Sequence, residues 1–254
     1  MFTSRAKIRT AAEVPTVEGV GWRCRRHFGD LIERDERGAS SEHGFGALRV
    51  FDDVVLDAGA RLELAAHDGL EVVVYLLDGQ GRLEDDRGHA SDLARDGAAC
   101  STLGHGVRHV LVNRGESAPL HVVVAAIVAP QANPRPRLAT ASFAHDAPGV
   151  AWFASHGPDD TARGALELGL RARVGVALLD PGFGHVFPQV PDGGVYCAVV
   201  EGYLEVSPSS FVENGGDMRA PVGEAPIRIQ GVARTRAIVL EIPFVVAQEL
   251  MESA

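Results

Sequence analysis

Residues 57–84 read DAGARLELAAHDGLEVVVYLLDGQGRLE, and residues 180–206 read DPGFGHVFPQVPDGGVYCAVVEGYLEV. Laid over each other at one offset of 123 positions, they match Asp57 with Asp180, Gly59 with Gly182, Asp78 with Glu201 and Gly79 with Gly202. Such a period marks an internal repeat. Each copy consists of short runs rich in Val, Leu and Ile, bounded by turn signals such as LDAGA, LLDGQG and LDPGFG. Runs of that length are too short for helices, and the β-branched content suits strands. The same pattern continues outward through ALRVF, HVLVN, LHVVVAAIVA, IRIQG and AIVLEI, with DDRGH, NRGES and ENGGD as turns. The expected fold is therefore all-β, two barrels of similar build with little helix.

The proline-bearing stretch APQANPRPRLA, residues 129–139, has no apolar periodicity and reads as a connector. It divides the chain into an N-terminal domain at 1–130, a linker at 131–139 and a C-terminal domain at 140–254. Helix is expected at VVAQELMES, residues 245–253, and more weakly around Ala162 to Leu170.

A formal net charge of −10 sets up a field that repels phosphate backbones and anionic membrane surfaces, so direct nucleic-acid binding is not expected. The basic cluster Arg23, Arg25 and Arg26 beside Trp22 reads as a solvated strand edge before a phosphate patch. No apolar run approaches the roughly 20 residues that cross a bilayer. Arg5, Lys7 and Arg9 have no apolar stretch behind them, and the expected location is the cytoplasm. Cys24, Cys100 and Cys197 are odd in number and far apart, which suits buried reduced thiols. No phosphate-binding glycine loop, nucleophile elbow or Rossmann pattern is present, and no nucleophilic catalytic group is assigned.

Histidine carries the remaining chemistry. In an extended strand Glu63, Ala65 and His67 would share one side. The second copy places Pro188, Val190 and Gly194 where the first has Ala65, His67 and Glu71, so folding does not require the histidine or the glutamate. Two imidazoles at i and i+2, a carboxylate and a histidine from a facing strand can enclose a divalent iron, nickel or manganese ion. His185 and His121 are single histidines without matching partners and read as core or rim packing; His43 and His89 sit beside glycine in loops.

The stretch GARLELAAHDGLEVVVYLLDG, residues 59–79, resembles the first motif of the cupin superfamily, with Ala65 at the first histidine position. GAACSTLGHGVRHVLVN, residues 97–113, resembles the second, closing on His109 and Asn113. HGFGALRVFDD at 43–53 and GWRCRRHFGD at 21–30 are similar to signatures of the pirin family, proteins with two tandem cupin (jelly-roll) domains. Carried over by position, the family's ligand pairs fall on Ala65 with His67 and on His109 with Leu111. His105 and Glu71 are the local residues that could complete a His67, Glu71, His105, His109 site for Fe, Ni or Mn. The resemblance implies either a metal-dependent, quercetin 2,3-dioxygenase-like enzyme or a binding protein that engages regulatory proteins or metabolic enzymes. Because Ala65 and Leu111 cannot coordinate a metal, the leading expectation is a cytoplasmic small-molecule-binding or regulatory protein with an incomplete site. Its partner would be a small organic molecule in the N-terminal barrel or another protein, and the dioxygenase is the alternative.

Overall fold

The structure, a computed structural model, describes residues 6–29, 44–65, 69–102, 107–130, 137–143, 145, 147–161, 163–188, 192–206, 210–221 and 226–244. Its strands, numbered in chain order, form four sheets. A seven-stranded sheet runs β12 (Arg137–Ser142), β9 (Gly97–Thr102), β6 (Leu70–Asp78), β11 (Leu120–Val128), β4 (Leu48–Leu56), β3 (Trp22–Phe28), β2 (Thr16–Gly19). Its partner has four strands: β5 (Arg61–Leu64), β10 (His109–Asn113), β7 (Gln80–Asp85) and β8 (Ala90–Ala94). Together they make the first barrel.

The second barrel repeats the plan. Its seven-stranded sheet runs β1 (Lys7–Arg9), β20 (Asp217–Pro221), β17 (Gly193–Glu201), β22 (Thr235–Pro243), β15 (Arg173–Leu179), β13 (Gly149–Ser155), β14 (Leu166–Glu167). The four-stranded partner is β16 (Gly184–Phe187), β21 (Ile227–Gly231), β18 (Tyr203–Val206) and β19 (Ser210–Glu213). Strands β5, β6 and β7 begin at 61, 70 and 80, and their counterparts β16, β17 and β18 begin at 184, 193 and 203, the offset found in the sequence. The repeated glycine has a repeated cause: Gly79 and Gly202 take φ of 95° and 88°. A Cβ there would lie 2.8 Å from the Pro119 carbonyl and 2.3 Å from that of Arg234.

Each barrel borrows an edge strand from the other half of the chain. Strand β1 pairs with β20, while β12 pairs with β9 in the equivalent place, so the connector expected to 139 is already strand from Arg137 onward. The predicted helix around 162–170 is replaced by one turn, α1 (Pro158–Thr161), followed by β14 parallel to β13. The other predicted helix, 245–253, lies outside the described residues.

One hydrophobic core runs through both halves, joining Val72, Val74 and Leu111 to Phe153, Tyr196 and Leu240. A second core, with Val195, Met218 and Ile229, fills the C-terminal barrel.

Candidate metal centre

Strand parity decides which side chains enter the first barrel. Leu62 and Leu64 on β5 are buried and the alternate residues Arg61 and Glu63 are exposed. Opposite them on β10 stand Leu111 and His109. Residues directly opposite in an antiparallel pair share a face, so His109 and Leu111 point inward. The His109 Nε2 lies 2.9 Å from the Ser101 hydroxyl. Burial pushes its pKa below the usual histidine range, against the opposing pull of Asp85 and Asp86, which keeps the imidazole neutral.

Glu71 is not brought to His109. On β9, Ser101 faces inward with His109, and its neighbour Thr102 turns the other way, toward Glu71. The Glu71 carboxylate accepts hydrogen bonds from the Gly169 N–H at 2.9 and 3.1 Å, bracing the turn that leads into β15. It is 3 % exposed, and burial raises its pKa. The glutamate expected as a ligand is therefore a tie between the two halves, and the sheet backbone separates it from the barrel interior. His67 and His105 lie outside the described residues, and β5 ends at Leu64, before Ala65.

Among the described residues, the interior thus presents one imidazole where a divalent ion needs several donors and at least one charge. Leu111, 0 % exposed, stands where the resemblance places a glutamate. By themselves, without His67 and His105, the described donors do not make up a site for Fe, Ni or Mn. Asn113, which closes the second motif, is structural: its amide donates to the carbonyls of Leu56, Asp57 and Ala118, and its oxygen accepts from the Gly115 N–H.

The basic run on β3 also differs from its expected role. Arg26 is 2 % exposed and pairs with buried Asp52, and Arg25 reaches toward Asp53 at 3.7 Å. His121, read as core or rim packing, bonds through Nε2 to Asp53. Burial tends to raise the Asp53 pKa, but the His121 contact together with His27 and Arg25 outweighs this and holds it low. All three cysteines are free, buried thiols with pKa values raised by desolvation, Cys100 to about 12, and are poor nucleophiles at neutral pH.

A buried polar cluster escaped sequence reading. Fully buried Asp217 on β20 receives Arg9 of β1 through Nε at 3.1 Å and through Nη2. It also receives His27 Nδ1 of β3 at 2.7 Å and the Tyr196 hydroxyl of β17 at 3.3 Å. Arg9 Nη2 donates as well to the His27 carbonyl, and the Arg219 guanidinium lies 4.4 Å from the Phe28 ring centroid. The glycine-rich signature works at the same seam. Phe45 packs edge-on to Phe244, and the Ala47 N–H donates to the Pro243 carbonyl. Arg9 and His27 lie 208 and 190 positions from Asp217, so no local signal could have paired them.

Comparison with known proteins agrees with this architecture. No protein-family profile matches the chain. A quercetin 2,3-dioxygenase of Escherichia coli strain K12 is 30 % identical over 79 residues, 31 % of this chain and 34 % of that enzyme. The crystal structure of YhhW from E. coli superposes with a TM-score of 0.81 at 20 % identity, covering 94 % of this chain and 98 % of YhhW. The bacterial pirin YhhW in complex with nickel(II) gives 0.79 at 20 % identity, over 94 % and 100 %. A quercetin 2,3-dioxygenase from Acinetobacter baumannii gives 0.71 at 14 % identity, over 98 % and 86 %. The curated match spans about a third of its relative's length, and the structural matches establish the fold. The chain is an all-β protein with the tandem-cupin fold of the bacterial pirins.

Proposed function

We propose that this chain is a pirin-like binding protein of the cytoplasm and not a metal-dependent oxygenase. One observation carries the reading: Leu111, fully buried with Leu62 and Leu83 as its cross-strand neighbours, takes the inward position of a metal-ligating glutamate. An apolar side chain there supplies neither charge nor coordination. The two candidate ligands among the described residues are engaged elsewhere, His109 by Ser101 and Glu71 by Gly169. The barrel keeps the cupin frame while its interior favours packing over chemistry. Its physiological role is then recognition of a small organic molecule or a protein.

The test is metal content and turnover on untagged protein loaded anaerobically with iron(II), nickel(II) or manganese(II). The expected result is less than about a tenth of an equivalent of any metal after desalting and no oxygen-dependent loss of quercetin, since too few donors converge. Stoichiometric metal with flavonol cleavage would overturn the reading in favour of the dioxygenase that the 79-residue likeness suggests. His67 and His105 would then have to act with His109.

A further inference from the structure

One end of the second barrel holds a carboxylate oxygen that the described residues leave without a donor. Glu241 on β22 follows Ala237 and Val239 on the face that fills the second core, so its side chain points into that barrel. It is 7 % exposed; its Oε2 accepts from Arg173 Nη1 at 3.2 Å, and its Oε1 is buried without a hydrogen-bond partner. A buried acceptor in that state costs free energy unless a donor from outside completes it.

The first barrel provides an internal control. At the offset of 123, Val195 corresponds to Val72. Across the sheet Val72 stands opposite Ala126 and Ala126 opposite Val50, whereas Val195 stands opposite Glu241 and Glu241 opposite Arg173. The same row is apolar in one barrel and charged in the other, so the frame folds without these charges.

The charges in the row do not balance. Arg173 donates to both Asp160 oxygens, through Nε at 2.9 Å and Nη2 at 3.2 Å, as well as to Glu241. Two carboxylates thus share one guanidinium. Among the described residues Arg173 is the only cation acting on Glu241, and Asp160 adds a like charge. Burial pushes the Glu241 carboxyl up against the pull of Arg173, a shift that an incoming positive charge would reverse. His185 on β16 supplies no second cation, since burial and then Arg173 push its pKa below the usual histidine range. The surroundings are aromatic. The Arg173 guanidinium lies 4.0 Å from the Trp152 ring centroid, and Phe187 meets Trp152 at 6.4 Å and His185 at 4.7 Å between centroids. Ring faces beside an unanswered carboxylate favour a cation with an apolar body. Trp152, Arg173 and His185 are each partly exposed, which leaves this end of the barrel open to approach.

We propose that this end of the second barrel binds a small organic ammonium ion, whose N–H donates to Glu241 Oε1 and whose apolar body lies against Trp152 and Phe187. The proposal extends the reading as a binding protein, and it stands apart from the metal test because every residue it uses lies in the second barrel.

Benzylammonium is the probe, with benzyl alcohol and benzoate as neutral and anionic controls. Calorimetric titration of the full chain should give a dissociation constant below about 1 mM for benzylammonium, and binding at least about tenfold weaker for both controls. The chain has two tryptophans, so in heteronuclear NMR the Trp152 indole peak should move on titration while the Trp22 peak stays in place. Glu241→Gln, which keeps the shape and removes the charge, should weaken binding by about tenfold or more, with an unchanged Trp22 peak verifying the fold. No binding of benzylammonium, equal binding of benzyl alcohol, a shift at Trp22 in place of Trp152, or an unchanged affinity in folded Glu241→Gln would each overturn the proposal. The wild-type comparisons decide it even if the variant does not fold.

Discussion

Leu111 and His109 sit two residues apart on one strand, and their difference decides what the first barrel can do. His109 retains a neutral imidazole beside Ser101, whereas Leu111 has surrendered all its surface to the core. Placing a carboxylate at Leu111 would bury an unpaired charge, a change costing about 3–5 kcal/mol. Leu111→Glu alone should therefore lower stability by that amount in urea unfolding. If the ligand mapping holds, combining it with Ala65→His should make the melting temperature rise on addition of nickel(II), which the wild type should not show. A double variant indifferent to nickel would show that residues 65 and 111 do not converge. Ala65 and Leu111 are assigned by the resemblance to the cupin motifs, whose spacing is local. The Ser101 partnership could not be assigned in that way, because it depends on which face β9 turns toward β10.

At the scale of elements, alternation along a strand is what separates Glu71 from the site it was expected to join. Motif spacing places His67 and Glu71 four apart, but only the pairing of β6 with β9 and the approach of the Gly169 turn show that the carboxylate faces the other barrel. Strand exchange has a similar non-local origin. Arg9 of β1 and His27 of β3 meet Asp217 of β20, fixing a borrowed strand to both halves. Burial pushes the Asp217 carboxyl upward, but the hydrogen bonds from His27 and Arg9 outweigh it and hold the pKa below the ordinary carboxylate range. A depressed acid contributes stability that is present above its unfolded pKa, about 3.9, and is lost as pH falls through the folded value. Asp217→Asn should thus cost about 3–5 kcal/mol at pH 7 by leaving buried cations without their anion. The gap to wild type should close as the pH is lowered below about 4. Urea titrations across that range check this, and a gap independent of pH would remove Asp217 from the acid response.

For the whole molecule, the shared core is the governing fact. Phe153, Tyr196 and Leu240 of the second half belong to the same cluster as Val74 and Leu111 of the first, and Tyr75 stacks on Phe153 at 4.4 Å. Arg236 reaches across to Asp96, the Leu77 carbonyl and the Tyr75 hydroxyl. Two barrels joined in this way, each holding an edge strand from the other half, should unfold together. Differential scanning calorimetry should give one transition whose calorimetric and van't Hoff enthalpies agree. Two resolved transitions would mean that the seam contributes little to cooperativity.

The sequence by itself determined the tandem barrels, their 123-residue offset and the glycine turns, because alternation, turn chemistry and positive φ are properties of a few neighbouring residues. The resemblance to the two cupin motifs assigns Ala65 and Leu111 to ligand positions, an assignment that rests on spacing within each motif. Only the tertiary structure decided that Glu71 braces the second barrel, that Arg26 is buried, and that His27, Arg9 and Asp217 form one cluster. These contacts join strands from different sheets and distant parts of the chain. The face a side chain presents there is fixed by register and packing, which no local run of residues encodes.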